Sequence, residues 1–153
     1  MTTTIDRPAT SIDWSADLDT ICRTALATHR QRYTRGRERL VAALTDLNRP
    51  VTIPLILAHD ARLAQSSVYR NLGQLVDVGV ARIVPNLIGD HAYYELAGPD
   101  HRRAYAHCFG CRTMHRLSPG FRVEVTSGDL GPVLDTMTVL VVASCFYCRR
   151  VPS

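Results

Sequence analysis

The sequence contains no lysine, so arginine supplies all 18 of its strongly basic side chains. The absence of lysine excludes Schiff-base chemistry and every other reaction that needs a lysine amine. Arginine is the side chain suited to paired hydrogen bonds with phosphate groups and with guanine. The basic residues therefore favour ion pairing or nucleic-acid contacts over amine catalysis.

The sequence also lacks a long apolar run. An uninterrupted apolar stretch such as residues 139–143 is far too short to cross a membrane. The first ten residues have neither the basic start nor the apolar stretch of an export signal. We therefore expect a cytoplasmic protein that makes no contact with a membrane.

The charge is small overall but unevenly distributed. The formal net charge is +4 and the isoelectric point is about 9.0. The first twenty residues are acidic, whereas five arginines lie close together soon afterwards: Arg30, Arg32, Arg35, Arg37 and Arg39. Such a cluster either binds phosphate or forms a solvated helix face. Composition alone leaves both interpretations open.

Apolar residues recur at helical spacing through the N-terminal half and predict four helices. The first helix follows an N-cap at Asp17. The second runs from a cap at Thr34 to about Leu47, and the third starts at Thr52 and closes near Asp60.

The fourth helix has a buried stripe and clear boundaries. We expect Ser66 or Ser67 to cap it and Gly79 to end it in a left-handed conformation. Residues 80–84 and 92–96 then read as two strands of a hairpin. Helices followed by a hairpin indicate a winged helix over residues 18–97, which follows an acidic segment at 1–17.

The remainder, residues 101–153, follows a linker at 97–100 and forms a second, smaller domain. Strand candidates lie at 105–108, 113–117, 121–125 and 138–144, with a helix candidate at 129–137. A chain of roughly fifty residues makes a poor hydrophobic core by itself. We therefore expect an additional element that holds this domain together.

Four of the five cysteines form two C-x-x-C pairs, Cys108 with Cys111 and Cys145 with Cys148. Two such pairs can surround one tetrahedral zinc ion, with no coordination position left open for catalysis. Paired disulfides are disfavoured in a cytoplasmic protein, and a redox pair would not need duplication. An iron site would use the same ligands. Zinc, one ion per chain, is the favoured interpretation.

From about residue 30 onwards, the chain resembles the ferric uptake regulator (Fur) family of bacterial repressors. The likeness is carried by the Val-Tyr-Arg-x-Leu segment from Val68, the Tyr-Thr-Arg segment from Tyr33, and the four paired cysteines. The resemblance implies an α+β fold: an N-terminal winged helix-turn-helix domain followed by a small α/β dimerisation domain with a four-cysteine zinc site. It also implies a homodimer that binds double-stranded DNA at an inverted-repeat operator.

The resemblance places DNA contacts on two helices. Tyr69 and Arg70 match family positions that meet DNA, and the helix after Thr34 supplies phosphate contacts. The residue types agree, because arginine, asparagine and glutamine hydrogen-bond base edges. An exposed polar helix face is the alternative. The candidate DNA-binding residues are Arg35, Arg39, Ser66, Ser67, Tyr69, Arg70, Asn71 and Gln74.

The sequence departs from the family at the sensory metal site. The resemblance implies histidines near residue 48 and before the first C-x-x-C pair, but only Glu95 and His101 remain in recognisable places. Arg102 and Arg103 stand where ligands are expected, and arginine cannot ligate a cation. We expect them to pair with a carboxylate or to meet DNA phosphate. Scattered histidines, namely His91, His107 and His115, favour surface or hydrogen-bonded groups over ligands.

Three functions follow from these observations. The favoured one is a Fur-like transcriptional repressor with a structural zinc ion and a regulatory metal site of which only Glu95 and His101 remain. The alternatives are a zinc-thiolate redox switch and a protein-interaction module that has lost operator binding. An enzyme is disfavoured, because no nucleophile, base and orienting group cluster in the sequence.

Overall fold

The computed structural model describes residues 12–86, 88–99, 103–117, 138–145 and 148. Within these ranges, four helices precede five strands. The helices are α1 (Leu18–Thr28), α2 (Arg35–Leu47), α3 (Ile53–His59) and α4 (Gln65–Asp77). The strands are β1 (Ala81–Val84), β2 (Tyr93–Leu96), β3 (Arg103–Cys108), β4 (Met114–Arg116) and β5 (Thr138–Ala143).

The boundaries of the first three helices confirm the sequence prediction. Asp17 caps α1, because its Oδ1 accepts a hydrogen bond of 3.0 Å from the backbone N–H of Thr20. Helix α2 follows Thr34 and ends at Asn48, which adopts a left-handed conformation with φ of 45°. Helix α3 follows Thr52 and ends at Asp60.

Helix α4 begins earlier than the sequence predicts. Its N-cap is Ala64, so the prediction of a serine cap at Ser66 or Ser67 is wrong. The backbone N–H of Val68 already donates to the carbonyl of Ala64 at 3.0 Å, which places both serines inside the first turn. Gly79 ends the segment with φ of +80°, as predicted.

The four helices surround the larger hydrophobic core. Each helix contributes buried apolar side chains at helical spacing, and Leu26, Leu40, Ile56 and Leu72 are inaccessible to solvent. Part of the predicted acidic segment also packs here, because Trp14 lies against this core. Burial of apolar surface is therefore the main force that holds α1 to α4 together.

Two small sheets follow the helices. Strands β1 and β2 form the predicted antiparallel hairpin. In the second sheet the order is β4-β3-β5, with β4 antiparallel and β5 parallel to the central strand β3. The predicted strand at 121–125 and the predicted helix at 129–137 lie outside the described residues.

A second, smaller hydrophobic cluster joins the two sheets. It consists of Val84 and Tyr93 from the hairpin, and Tyr105 and Met114 from the second sheet. The hairpin thus contacts elements on both sides of the predicted linker at 97–100: the helical core that precedes the linker and the second sheet that follows it. None of the helices in the described ranges has both the length and the apolar character that a bilayer crossing requires.

We predict that Leu72→Ala lowers the free energy of unfolding by about 3 kcal/mol, because it leaves a cavity in the larger core. Leu55→Ala on α3 is the matched control, since Leu55 is 39% exposed and should lose less than about 1 kcal/mol. Urea denaturation followed by circular dichroism measures both losses. Equal losses would show that α4 does not pack on this core.

Candidate metal centre and nucleic-acid interface

The four paired cysteines meet at one edge of the second sheet. Cys108 ends β3, Cys111 lies in the following turn, and Cys145 follows β5. Because β3 and β5 are parallel neighbours, their C-terminal ends lie at the same edge. The Sγ atoms of these three residues and Cys148 all lie within 4.8 Å of one another. The predicted grouping of the two C-x-x-C pairs is confirmed.

The turn between the first two cysteines is tightly packed. A Cβ atom at Gly110 would lie 2.9 Å from the Sγ of Cys148, so a larger residue would displace a sulfur atom. Arg112 adopts a left-handed conformation with φ of 57°, which turns the chain back into β4. The backbone N–H of Cys145 lies 3.3 Å from the Sγ of Cys108 and donates to it. The backbone therefore holds the sulfur atoms close together.

The surroundings of the thiols favour a bound cation. Hydrogen bonds from the backbone N–H groups of Cys145 and then Cys111 lower the pKa of Cys108 to about 6. Hydrogen bonds of the Cys148 thiol with the side chains of Cys145 and then Cys108, followed by burial, raise the pKa of Cys148 to about 12, because they favour its protonated form. A bound cation would offset the repulsion among thiolates placed this close together. Four closely spaced sulfurs fit a tetrahedral zinc ion.

The outward surface of α4 carries three of the predicted DNA-contact residues. Tyr69 is 55% exposed, and Arg70 beside it is also exposed. Ser66 is exposed in the first turn of the same helix. The opposite side of α4 is buried, which leaves this surface free to meet a partner. We call Ser66, Tyr69 and Arg70 the outer face of α4.

The other candidates on α4 face α2 instead. Ser67 and Asn71 line a cavity of about 150 Å³ between the two helices, together with Arg39 from α2. Gln74 also points towards α2, where its Oε1 accepts a hydrogen bond from Arg37. Arg35 is exposed at the first position of α2. The structure thus divides the candidate DNA-binding residues of α4 between an outer face and a side that contacts α2.

Arg37 is a functional candidate that sequence reasoning did not select. It belongs to the basic cluster of the sequence, yet only 7% of it is exposed. The signal that could have found it is its spacing, because Arg37 lies three and four residues before Leu40 and Val41 on the buried stripe of α2. A charged residue on such a stripe needs polar partners.

Glu95 is buried and fully engaged by residues of this chain. It is 1% exposed on β2. Its Oε2 lies 2.6 Å from Arg116 Nη2, and its Oε1 lies 3.2 Å from Arg82 Nε. The hydroxyl of Tyr105 also donates to Oε1. A divalent cation at Glu95 would have to displace two guanidinium groups.

The charged partners of this carboxylate are two arginines that the sequence analysis did not select. Arg82 and Arg116 pair with Glu95, and they come from β1 and β4. His101 and Arg102 lie outside the described residues, as does the side chain of Arg103. The four residues Arg82, Glu95, Tyr105 and Arg116, here named the Glu95 cluster, connect the hairpin to the second sheet.

The remaining histidines form no further metal cluster in the part of the chain that the structure describes. His91 and His115 are exposed, as expected of surface groups. His107 is inaccessible, its Nε2 lies 3.1 Å from the hydroxyl of Tyr93, and burial lowers its pKa. Among the described residues, the four cysteines are the one group of histidine, cysteine or acidic side chains placed to hold a metal ion.

Comparison with solved structures identifies the fold. The ferric uptake regulator of Helicobacter pylori, which has three functional metal-binding sites, superposes with a TM-score of 0.62 at 18% identity, over 90% of this chain and 97% of its own. The ferric uptake regulator of Vibrio cholerae superposes with a TM-score of 0.60 at 16% identity, over 81% of this chain and 99% of its own. A zinc-bound manganese uptake regulator superposes with a TM-score of 0.56 at 16% identity, over 84% of this chain and 99% of its own.

No protein-family model and no curated protein matches the sequence. All three solved proteins are uptake regulators. Their identity to this chain is low, but the superpositions cover nearly the whole of each regulator. The chain therefore has the fold of the ferric uptake regulators.

Proposed function

We propose that the chain is a cytoplasmic, sequence-specific DNA-binding transcriptional repressor that acts as a homodimer with one structural zinc ion per chain. The observation that carries this proposal is the outer face of α4, where Tyr69 and Arg70 are exposed on a fold shared with uptake regulators. In this proposal, residues 18–97 are a winged helix that binds DNA, and residues 101–153 are a zinc-stabilised dimerisation domain.

The outer face of α4 supplies base contacts, and α2 supplies phosphate contacts. Arg70 carries hydrogen-bond donors that suit guanine edges, and the ring of Tyr69 can pack on a thymine methyl group. Arg35 stands at the exposed start of α2, where a guanidinium suits a backbone phosphate. Two copies related by a twofold axis would place two such helices on the half-sites of an inverted repeat.

The zinc ion is structural in this proposal. Cys108, Cys111, Cys145 and Cys148 would be its ligands, and four thiolates leave no position for a substrate. The metal would fasten the end of β3 to the end of β5, in a sheet with few buried apolar residues. Zinc binding then supplies much of the folding free energy of this unit.

In this proposal, Glu95 has no sensory role. Its carboxylate is held by Arg82, Arg116 and Tyr105, so the hairpin and the second sheet are joined without a metal ion. A sensory ion changes DNA affinity only when it binds one arrangement of the protein better than another. The Glu95 cluster removes the ligand that such an ion would need.

We predict that Cys111→Ser loses the zinc ion and unfolds the second sheet, because three thiolates and a hydroxyl hold zinc poorly. Cys22→Ser is the matched control, since Cys22 is a free cysteine in the larger core and should leave one zinc ion per chain. Metal analysis with near-ultraviolet circular dichroism measures both. A soluble Cys111→Ser dimer with full zinc occupancy would contradict the assignment.

We predict that Arg70→Ala weakens binding to the preferred operator more than binding to random DNA, because Arg70 contacts base edges. Arg35→Ala should weaken both about equally and reduce the salt slope by roughly one unit, because it removes one phosphate contact. Titrations at several salt concentrations measure these effects, with DNA selected from a random pool as the operator. Identical behaviour of the two variants would reject this division of roles.

We predict that iron, manganese or additional zinc changes operator affinity by less than about tenfold once the cysteine site is loaded. The reason is that the Glu95 cluster already joins the two sheets. Fluorescence anisotropy on one operator, with and without each metal at micromolar concentration, measures the coupling. A larger change would reveal a sensory site elsewhere in the chain.

A further inference from the structure

One guanidinium group connects three segments beneath the DNA-facing helix. Arg37 Nη2 lies 2.7 Å from Gln31 Oε1, and Nη1 donates to the backbone carbonyl of Arg32, both in the loop between α1 and α2. Nη2 also donates to the side-chain oxygen of Gln74 on α4. Arg37 itself belongs to α2. The loop, α2 and α4 are therefore fixed to one another at this side chain.

The partners of Arg37 are all neutral oxygen atoms. In the described ranges, the ion pairs within 4.0 Å join other residues, and none of them includes Arg37. Burial, followed by the nearby charge of Arg70, lowers the pKa of Arg37, yet a guanidinium keeps its proton at any ordinary pH. A permanently charged group with neutral partners polarises those partners strongly.

The position of Arg37 decides how Gln74 can interact with DNA. A guanidinium has donors and no acceptor, so the atom of the Gln74 amide that faces it must be the oxygen. The Nε2 group, with two hydrogen atoms, then remains for an external partner. Gln74 is partly exposed one turn after Arg70, which also offers donors alone.

We propose that Arg37 is a positioning residue that presents Gln74 to DNA as a hydrogen-bond donor, so that the operator carries guanine or thymine, rather than adenine, beneath Gln74. This inference rests on the proposed function. A free glutamine pairs with adenine through both its oxygen and its nitrogen. With the oxygen held by Arg37, the amide nitrogen instead favours guanine, whose O6 and N7 both accept, or thymine, whose O4 accepts. Adenine is disfavoured because its single acceptor, N7, lies beside the N6 amino group, which the amide nitrogen cannot pair with.

The test is selection of binding sites from a random DNA pool with full-length, zinc-loaded protein. We expect Gln74→Ala to lose the preference for guanine or thymine at one position of each half-site, by roughly five- to tenfold, and to keep the other positions. Gln65→Ala is the matched control, because Gln65 is an exposed glutamine at the start of the same helix and should leave every preference unchanged.

Two further variants test the role of Arg37 itself. Arg37→Met frees the amide oxygen and should raise relative affinity for adenine at that position by roughly tenfold, whereas Arg37→Lys keeps a donor and should retain guanine or thymine. Gln74→Glu leaves Arg37 intact but has no donor, so it should lose the preference even if Arg37→Met fails to fold. Thermal melting reports the folding of each variant.

The inference is overturned if the wild type prefers adenine at the position that Gln74→Ala affects, or if Gln74→Ala and Gln74→Glu leave all preferences unchanged. These outcomes leave the proposed function intact, because selective binding would still be observed. If the wild type selects no sequence at all, the proposed function fails and this inference fails with it.

Discussion

The parallel pairing of β3 with β5 is the constraint on which the second half of the structure depends. Its register runs from Arg103 opposite Thr138 to Cys108 opposite Ala143, so the two strands end together. That common end brings two cysteine pairs, distant in sequence, within 4.8 Å. A sheet with so few buried apolar side chains gains little from hydrophobic burial. Closure of the cysteine cluster and pairing of the strands therefore support each other.

The Glu95 cluster connects the second sheet to the hairpin. A carboxylate buried among apolar residues is costly unless its oxygens are paired, and here two arginines and a tyrosine pair them. The four side chains come from β1, β2, β3 and β4, so the cluster spans both sheets. The hairpin is thereby fixed to the second sheet both by ion pairs and by the hydrophobic cluster that contains Tyr93 and Met114.

The helical half relies on a different balance. Leucine-rich packing holds α4 against the core, while Arg37 fixes its rotation relative to α2 through Gln74. Non-directional apolar contacts do not set a helix rotation sharply, whereas hydrogen bonds from a planar guanidinium do. The outer face of α4 is thus held at a defined rotation, which the proposed base recognition would require because each base contact depends on small differences in position.

The sequence by itself determined the three helix starts at Asp17, Thr34 and Thr52, the hairpin, and the cysteine grouping, because periodicity, caps and C-x-x-C spacing are local signals. Tertiary structure decided what depends on residues far apart in the chain. The parallel β3–β5 pair, the partners of Glu95 and the burial of Arg37 belong to this group. The N-cap of α4 at Ala64 also belongs to this group. Helical hydrogen bonds begin at its carbonyl, before the two serines that the sequence favours as caps. Local patterns specify which elements form. The partners of a buried charge depend instead on which distant side chains the fold brings next to it.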